Sequence, residues 1–144
     1  MKKITKKIAL LVKDADQKII LIQENVNNLG IKFNLIKWTH EWKDETLQDT
    51  LTREAYEEAW LDLELYENKK MRILDIIHLE REEYISCLTV VEIVLWENNI
   101  ILSTQFQNND ESIVGADWYS QDFIEQLEEN DFIDSRIYEV MKKF

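Results

Sequence analysis

Arg53, Glu54, Glu57 and Glu58 stand together in the segment Arg-Glu-Ala-Tyr-Glu-Glu. On a helix the three glutamates are spaced i, i+3 and i+4, so their carboxylates share one face. Each like-charge pair at this spacing costs a few tenths of a kcal/mol on an exposed helix, and more when partly desolvated. A hard divalent cation relieves that repulsion, because Mg²⁺ takes oxygen ligands and keeps positions open for water and phosphate oxygens. The plain alternative is a solvated acidic face in which Arg53 pairs with Glu57 one turn along.

The helix that would carry these residues has a readable start. Thr46-Leu47-Gln48-Asp49 has the Thr-x-x-acid form in which the hydroxyl accepts from an orphan amide of the first turn, and the helix is expected to run to about Ala59. Leu47, Leu51 and Ala55 form its apolar stripe, and Glu54 and Glu58 lie beside that stripe, at the border of the core. Ahead of it, Ile8 to Lys13 and Lys18 to Gln23 read as a hairpin around Asp14-Ala15-Asp16-Gln17. A loop follows from Asn25 to Gly30, and then a third strand from Phe33 to Trp38. Beyond the helix, Met71 to Glu80 and Tyr84 to Trp96 read as the central strands, after a shorter alternation at Leu61, Leu63 and Leu65. Ile100 to Leu102 is expected to be a short strand and Thr104 to Gly115 a polar loop containing Asp110 and Glu111. Ser120 is expected to cap a helix to about Glu128, and Asn130 a last one carrying Ile133, Ile137, Val140 and Met141.

Composition narrows the setting. A chain of 144 residues, 45% hydrophobic, fits one domain spanning 1–144. Its apolar runs fall short of the roughly 18 to 20 residues of a membrane span, and the basic start leads into an apolar stretch too short for a secretory signal, so a cytoplasmic protein with no membrane partner is expected. Cys87 is the sole cysteine, which leaves neither a disulfide nor a thiolate metal site. The net charge of −12 repels a polyanion and argues against a groove for nucleic-acid polymers, and it means that a phosphate-bearing partner needs a bridging cation.

The segment from Thr39 to Leu61 resembles the signature of the Nudix hydrolase family, G-x5-E-x7-R-E-U-x-E-E-x-G-U, where U is a bulky aliphatic residue. Glu45, then Arg53-Glu54 after seven residues, then Glu57-Glu58 and Leu61 fall in register, with Ala55 a weak match at the first U. With 18 Glu and 4 Arg in the chain, that register arises by chance on the order of 10⁻³ times over the whole length. The hairpin, the incoming strand, the polar loop and the segment Asp117-Trp118-Tyr119-Ser120 follow the same pattern, so the likeness covers about the whole chain. Both glycines of the box are replaced. Thr39 stands at the first and Trp60 at the second, while Lys37-Trp38 and Lys43-Asp44 replace neighbouring Pro and Gly positions. Trp60 is therefore expected to remove the left-handed C-cap that glycine favours.

The resemblance implies an α/β (α+β) fold of the Nudix type, an α/β/α sandwich with a mixed central sheet. It implies Mg²⁺- or Mn²⁺-dependent hydrolysis of a pyrophosphate bond in a nucleoside diphosphate-linked compound. A short chain leans towards nucleoside triphosphates, as in the MutT-like group. By similarity Glu54, Glu57 and Arg53 are the catalytic residues, and Glu54, Glu57 and Glu58 the metal ligands, with Glu111 or Asp110 from the polar loop completing the set. Glu45 supports the site beside Arg53. Thr39, Trp42 and Lys43 are candidate substrate contacts, with Trp42 placed to stack on a base. Lys32, Lys37 and Lys43 flank the same loop and are available to a terminal phosphate, while His40 reads as an exposed loop residue. The competing expectation is a Nudix-fold module that binds a nucleotide, or regulates, with weakened or absent catalysis. The expected partner is a small-molecule nucleotide, and the expected assembly a monomer or homodimer.

Overall fold

The computed structural model describes residues 2–27, 29–39, 46–66, 69–102 and 113–143. Among the described residues seven strands form one mixed sheet: β1 (Lys3–Lys13), β2 (Ile19–Val26), β3 (Gly30–Asn34), β4 (Ile36–Thr39), β5 (Lys70–Glu80), β6 (Tyr84–Val94) and β7 (Ile113–Tyr119). Three helices among the described residues pack on it: α1 (Leu47–Ala59), α2 (Gln121–Glu125) and α3 (Ser135–Lys143).

The strand β1 is the axis of the sheet. It runs parallel to β6 over its whole length, from Lys3 opposite Tyr84 to Lys13 opposite Val94. Its other edge meets β2 at Lys13 and Ile19 and is then taken over by antiparallel β4, with Lys7 opposite Thr39 and Leu10 opposite Ile36. The strand β2 in turn pairs antiparallel with β3 and with β7. Such a position explains the uninterrupted apolar run of β1, since a strand covered on both faces has no polar side to present. Ile8, Leu10 and Val12 pack with Leu51, Ala55 and Ala59 of α1 on one face. Ala9 and Leu11 pack on the other with Ile124 of α2 and Ile137, Val140 and Met141 of α3. Two cores on opposite faces of one mixed sheet make the α/β/α sandwich.

Several expected elements change. The third strand is two, β3 and β4, broken at the buried Leu35 between them. Leu61 to Leu65 is no strand. A short 3₁₀ turn, Leu63–Leu65, forms there, capped by the Asp62 carboxylate accepting from the Glu64 amide. Of the two supposed central strands only β6 is central. The strand β5 lies at the edge and leaves Ile73 and Ile76 exposed. Ile100 to Leu102 forms no strand, although the Ile100 carbonyl accepts from the Trp118 indole at 2.9 Å. Asn130 caps no helix. It lies in a 3₁₀ turn, Glu129–Asp131, and α3 starts only at Ser135, because Phe132 bridges to Phe33 and the Ile133 amide donates to the Phe33 carbonyl.

Candidate active site

The start of α1 follows from local chemistry. The Thr46 hydroxyl accepts from the Asp49 amide at 3.1 Å, satisfying one of the orphan donors of the first turn. Leu51, Ala55 and Ala59 then turn inwards and are fully buried. That anchoring fixes the rotation of the helix and leaves Arg53, Glu54, Glu57 and Glu58 on the rim and outer side.

Arg53 joins two of the three glutamates. Its guanidinium donates to Glu54 Oε1 at 3.1 Å and to Glu57 Oε2 at 3.5 Å. The Glu54 side chain keeps 17% of its exposure and that of Glu57 45%, so the pair spans from the border of the core to solvent. Glu58, half-buried, follows on the same helix. The ion pair of Arg53 with Glu57, expected for a plain acidic face, is thus present, and the same arginine also reaches Glu54.

The other candidate residues are placed unevenly. Thr39 is the last residue of β4, its backbone opposite Lys7, in the strand that leads towards α1. Trp42, Lys43, Glu45 and Glu111, with His40 and Asp110, lie outside the described residues. Among the described residues no three His, Cys, Asp or Glu side chains come together to hold a metal ion. The donor set is nonetheless one that Mg²⁺ or Mn²⁺ accepts, hard oxygens on a partly solvated helix. Mg²⁺ is commonly held by one or two carboxylates plus waters and substrate phosphates, and Glu54, Glu57 and Glu58 are the described carboxylates that could take part.

Trp60 corrects an expectation. It adopts the left-handed conformation itself, with φ 55° and ψ 37°, and its amide donates to the Ala55 and Tyr56 carbonyls. Its indole donates to the Tyr56 hydroxyl at 3.3 Å. The helix therefore ends as a glycine would end it, with a side chain carried in a region that disfavours Cβ.

One group of residues escaped the sequence reading. Arg136, 5% exposed, is held between the Asp134 carboxylate at 2.8 Å and the Ser86 hydroxyl at 3.0 Å, and Lys37 meets the same Asp134 at 3.2 Å. Burial opposes the charge on Asp134, but the hydrogen bond from Arg136 and the field of Lys37 prevail and hold the carboxyl well below the usual range. The Asp-x-Arg spacing at the start of α3 was the available signal, and it is a weak one.

No protein-family model matches the sequence, and no curated protein matches it either. Solved structures do. The chain is similar to a MutT protein from Methanosarcina mazei, with TM-score 0.65 and 16% identity over 99% of this chain and 93% of that one. It is similar to a Nudix hydrolase from Nitrosomonas europaea, with TM-score 0.66 and 18% identity over 97% and 87%. It is also similar to the Nudix domain of Shewanella oneidensis NrtR, determined in complex with ADP ribose, with TM-score 0.66 and 15% identity over 99% and 88%. At these identities the likeness is one of fold, and the mixed seven-stranded sheet between α1 and the α2–α3 pair is the Nudix fold.

Proposed function

We propose that the chain, as a single domain over 1–144, hydrolyses a pyrophosphate bond in a nucleoside diphosphate-linked compound, with nucleoside triphosphates as the substrate class. The observation that carries this reading is the Arg53–Glu54–Glu57 cluster on α1, in the register of the Nudix box, within a chain of Nudix fold. Glu57 and Glu58 would hold the divalent cation, and Glu54 would serve as a further ligand or as the base that takes a proton from water. Mg²⁺ or Mn²⁺, when bound, neutralises pyrophosphate charge and lowers the pKa of water. Arg53 positions the carboxylates, its guanidinium fixing Glu54 relative to Glu57. Glu45 would support that arrangement, Glu111 would add a ligand, and Thr39, Trp42 and Lys43 would contact the substrate.

The test is release of phosphate and pyrophosphate from nucleoside triphosphates, dinucleoside polyphosphates and nucleotide sugars, with Mg²⁺ or Mn²⁺ and with chelator. Glu57→Gln is expected to lower metal-dependent turnover by on the order of 10²-fold or more, with stability kept within about 0.5 kcal/mol because the side chain is about half exposed and the change is isosteric. Unchanged turnover in that variant refutes the assignment.

A second reading is a nucleotide-binding module without hydrolysis. Arg53 already engages two of the carboxylates that a metal would use, and the similar NrtR domain is a complex with ADP ribose. Nucleotide binding without release of product under any metal would select it.

A further inference from the structure

At the C-terminal end of α1 a cavity of about 580 Å³ opens between the last turn of the helix, the 3₁₀ turn at Leu63–Leu65 and the segment that follows β6. Its volume falls in the range of roughly 300–1,000 Å³ usual for small-molecule sites. Three aromatic residues line it, Tyr56, Trp60 and Tyr66, together with two carboxylates, Asp62 and Glu97. No lysine or arginine is among its described lining residues.

The walls are held by contacts of their own. The Trp60 amide caps α1 and its indole donates to the Tyr56 hydroxyl at 3.3 Å, which ties the two rings together. On the wall that follows β6, the Ala15 amide donates to the Glu97 carbonyl at 3.0 Å and the Asp16 amide to the Asn98 side chain at 3.1 Å, so the turn between β1 and β2 holds that segment in place. The Trp118 indole secures Ile100 through its carbonyl at 2.9 Å.

The charges and dipoles gathered here are negative. Asp62 accepts from the Glu64 amide at 3.1 Å, and among the described residues neither Asp62 nor Glu97 forms an ion pair. Burial raises the pKa of the Tyr66 hydroxyl, and the charges of Glu97 and then Asp62 raise it further, so the field of both carboxylates reaches that ring. The helix α1 ends at this cavity without a basic residue in its last turn, which leaves the negative end of its dipole without the cation that usually offsets it. Lys69 does not line the cavity, and its ammonium donates to the Tyr66 carbonyl at 3.3 Å.

The mixture of rings and carboxylates selects among cations. A hard metal ion asks for a shell of oxygen ligands, and a primary ammonium for three hydrogen-bond acceptors, whereas most of this wall is aromatic. An alkylated ammonium spreads its charge over methyl groups that need no acceptor and is attracted to the faces of aromatic rings, tryptophan above all. We propose that this cavity binds a small organic cation with an alkylated ammonium head, held among Tyr56, Trp60 and Tyr66 in the field of Asp62 and Glu97. The site makes no use of the α1 glutamates and stands whether or not the chain hydrolyses a nucleotide.

The experiment is titration of the full chain with choline, with tetramethylammonium and with 3,3-dimethylbutan-1-ol, the uncharged analogue of choline in shape, at constant ionic strength. Calorimetry and the shift of the Trp60 indole N–H, assigned by its loss in Trp60→Leu, are the readouts. Saturable binding of both cations is expected, with none of the neutral analogue. Trp60→Leu is expected to weaken choline about tenfold, through loss of the ring, and Glu97→Gln about threefold, through loss of one charge. Glu97 is exposed in a loop, so its variant reports on binding without threatening the fold. Glu57→Gln is expected to bind choline as the parent does, which separates failure here from failure of the hydrolytic reading. Equal binding of the neutral analogue, shifts reproduced by sodium at the same ionic strength, affinity unaltered in both Trp60→Leu and Glu97→Gln, or binding lost in Glu57→Gln would overturn the proposal.

Discussion

Trp60 offers a test whose sign depends on backbone conformation. In a helix interior glycine is less stable than alanine by about 1 kcal/mol, because it has more freedom to lose. At position 60 the chain is left-handed, φ 55° and ψ 37°, where a Cβ crowds the following carbonyl at a cost of roughly 1–2 kcal/mol. Trp60→Ala and Trp60→Gly both remove the indole, with its packing and its hydrogen bond to Tyr56, so comparing the two cancels the side-chain loss. What remains is relief of the left-handed strain in the glycine variant, less about 0.5–1 kcal/mol for the greater freedom of its unfolded chain. Trp60→Gly is therefore expected to be more stable than Trp60→Ala by about 0.5–1 kcal/mol, a difference of about 1–4 °C in Tm for a chain of this size. Urea denaturation of both variants, with equal slopes to confirm comparable unfolded states, measures it. Alanine equal to or more stable than glycine would show that residue 60 is not left-handed in solution, and the account of the end of α1 would fall with it.

Two further outcomes concern the start of α1 and the buried Arg136. Thr46→Ala removes the acceptor of the Asp49 amide and is expected to lower stability by about 1 kcal/mol in denaturant melts. The conservative Thr46→Ser should keep most of that stability, since the hydroxyl is retained. Asp134→Asn leaves Arg136 buried with only Ser86 as a strong partner, at an expected cost of about 3 kcal/mol. The same variant alters the acid limb of stability. The Asp134 carboxyl is depressed below its ordinary value of 3.8, so its contribution is fully present above that pH and is lost as pH falls through the lower, folded-state value. Parent and variant unfolding free energies should thus converge as pH drops below about 4, and a constant gap down to strongly acid pH would rule out the depressed carboxyl.

What could be read in the sequence was what is local. The helix α1 is found where its cap and apolar stripe place it, Leu47–Ala59 after Thr46, because both signals sit within a few residues of what they control. The Arg53–Glu57 contact was legible for the same reason, since spacing on one helix fixes which side chains meet. Elements decided by distant partners were misplaced. The start of α3 is set by Phe132 and Ile133 meeting Phe33, on the far side of the chain, and no propensity around Asn130 encodes that pairing. The β5 run is apolar enough for a central strand, but strand order is a property of the whole sheet, and among the described residues β5 pairs only with β6. The group around Arg136 was hidden most completely. Lys37 could be seen beside one loop, whereas Ser86 and Arg136 come together with it only through the parallel pairing of β1 with β6 and the docking of α3.

The missing glycines bear differently on function once the backbone is known. A glycine in a motif states a conformational requirement, and the requirement can be met by another residue at a cost in stability. At Thr39 nothing unusual is asked of the described backbone, because the residue is extended and pairs with Lys7, a conformation that residues bearing a Cβ adopt freely. At Trp60 the left-handed turn is kept and the cost is the roughly 1–2 kcal/mol that a Cβ incurs there. The path of the chain at the end of α1 is thus preserved without glycine, so Trp60→Gly should change stability while leaving turnover unaltered. Whether the chain hydrolyses or only binds then turns on the carboxylates and on how readily Arg53 yields Glu54 and Glu57 to a cation. That makes the comparison of Glu57→Gln with the parent, in metal and in chelator, more decisive than any repair of the box.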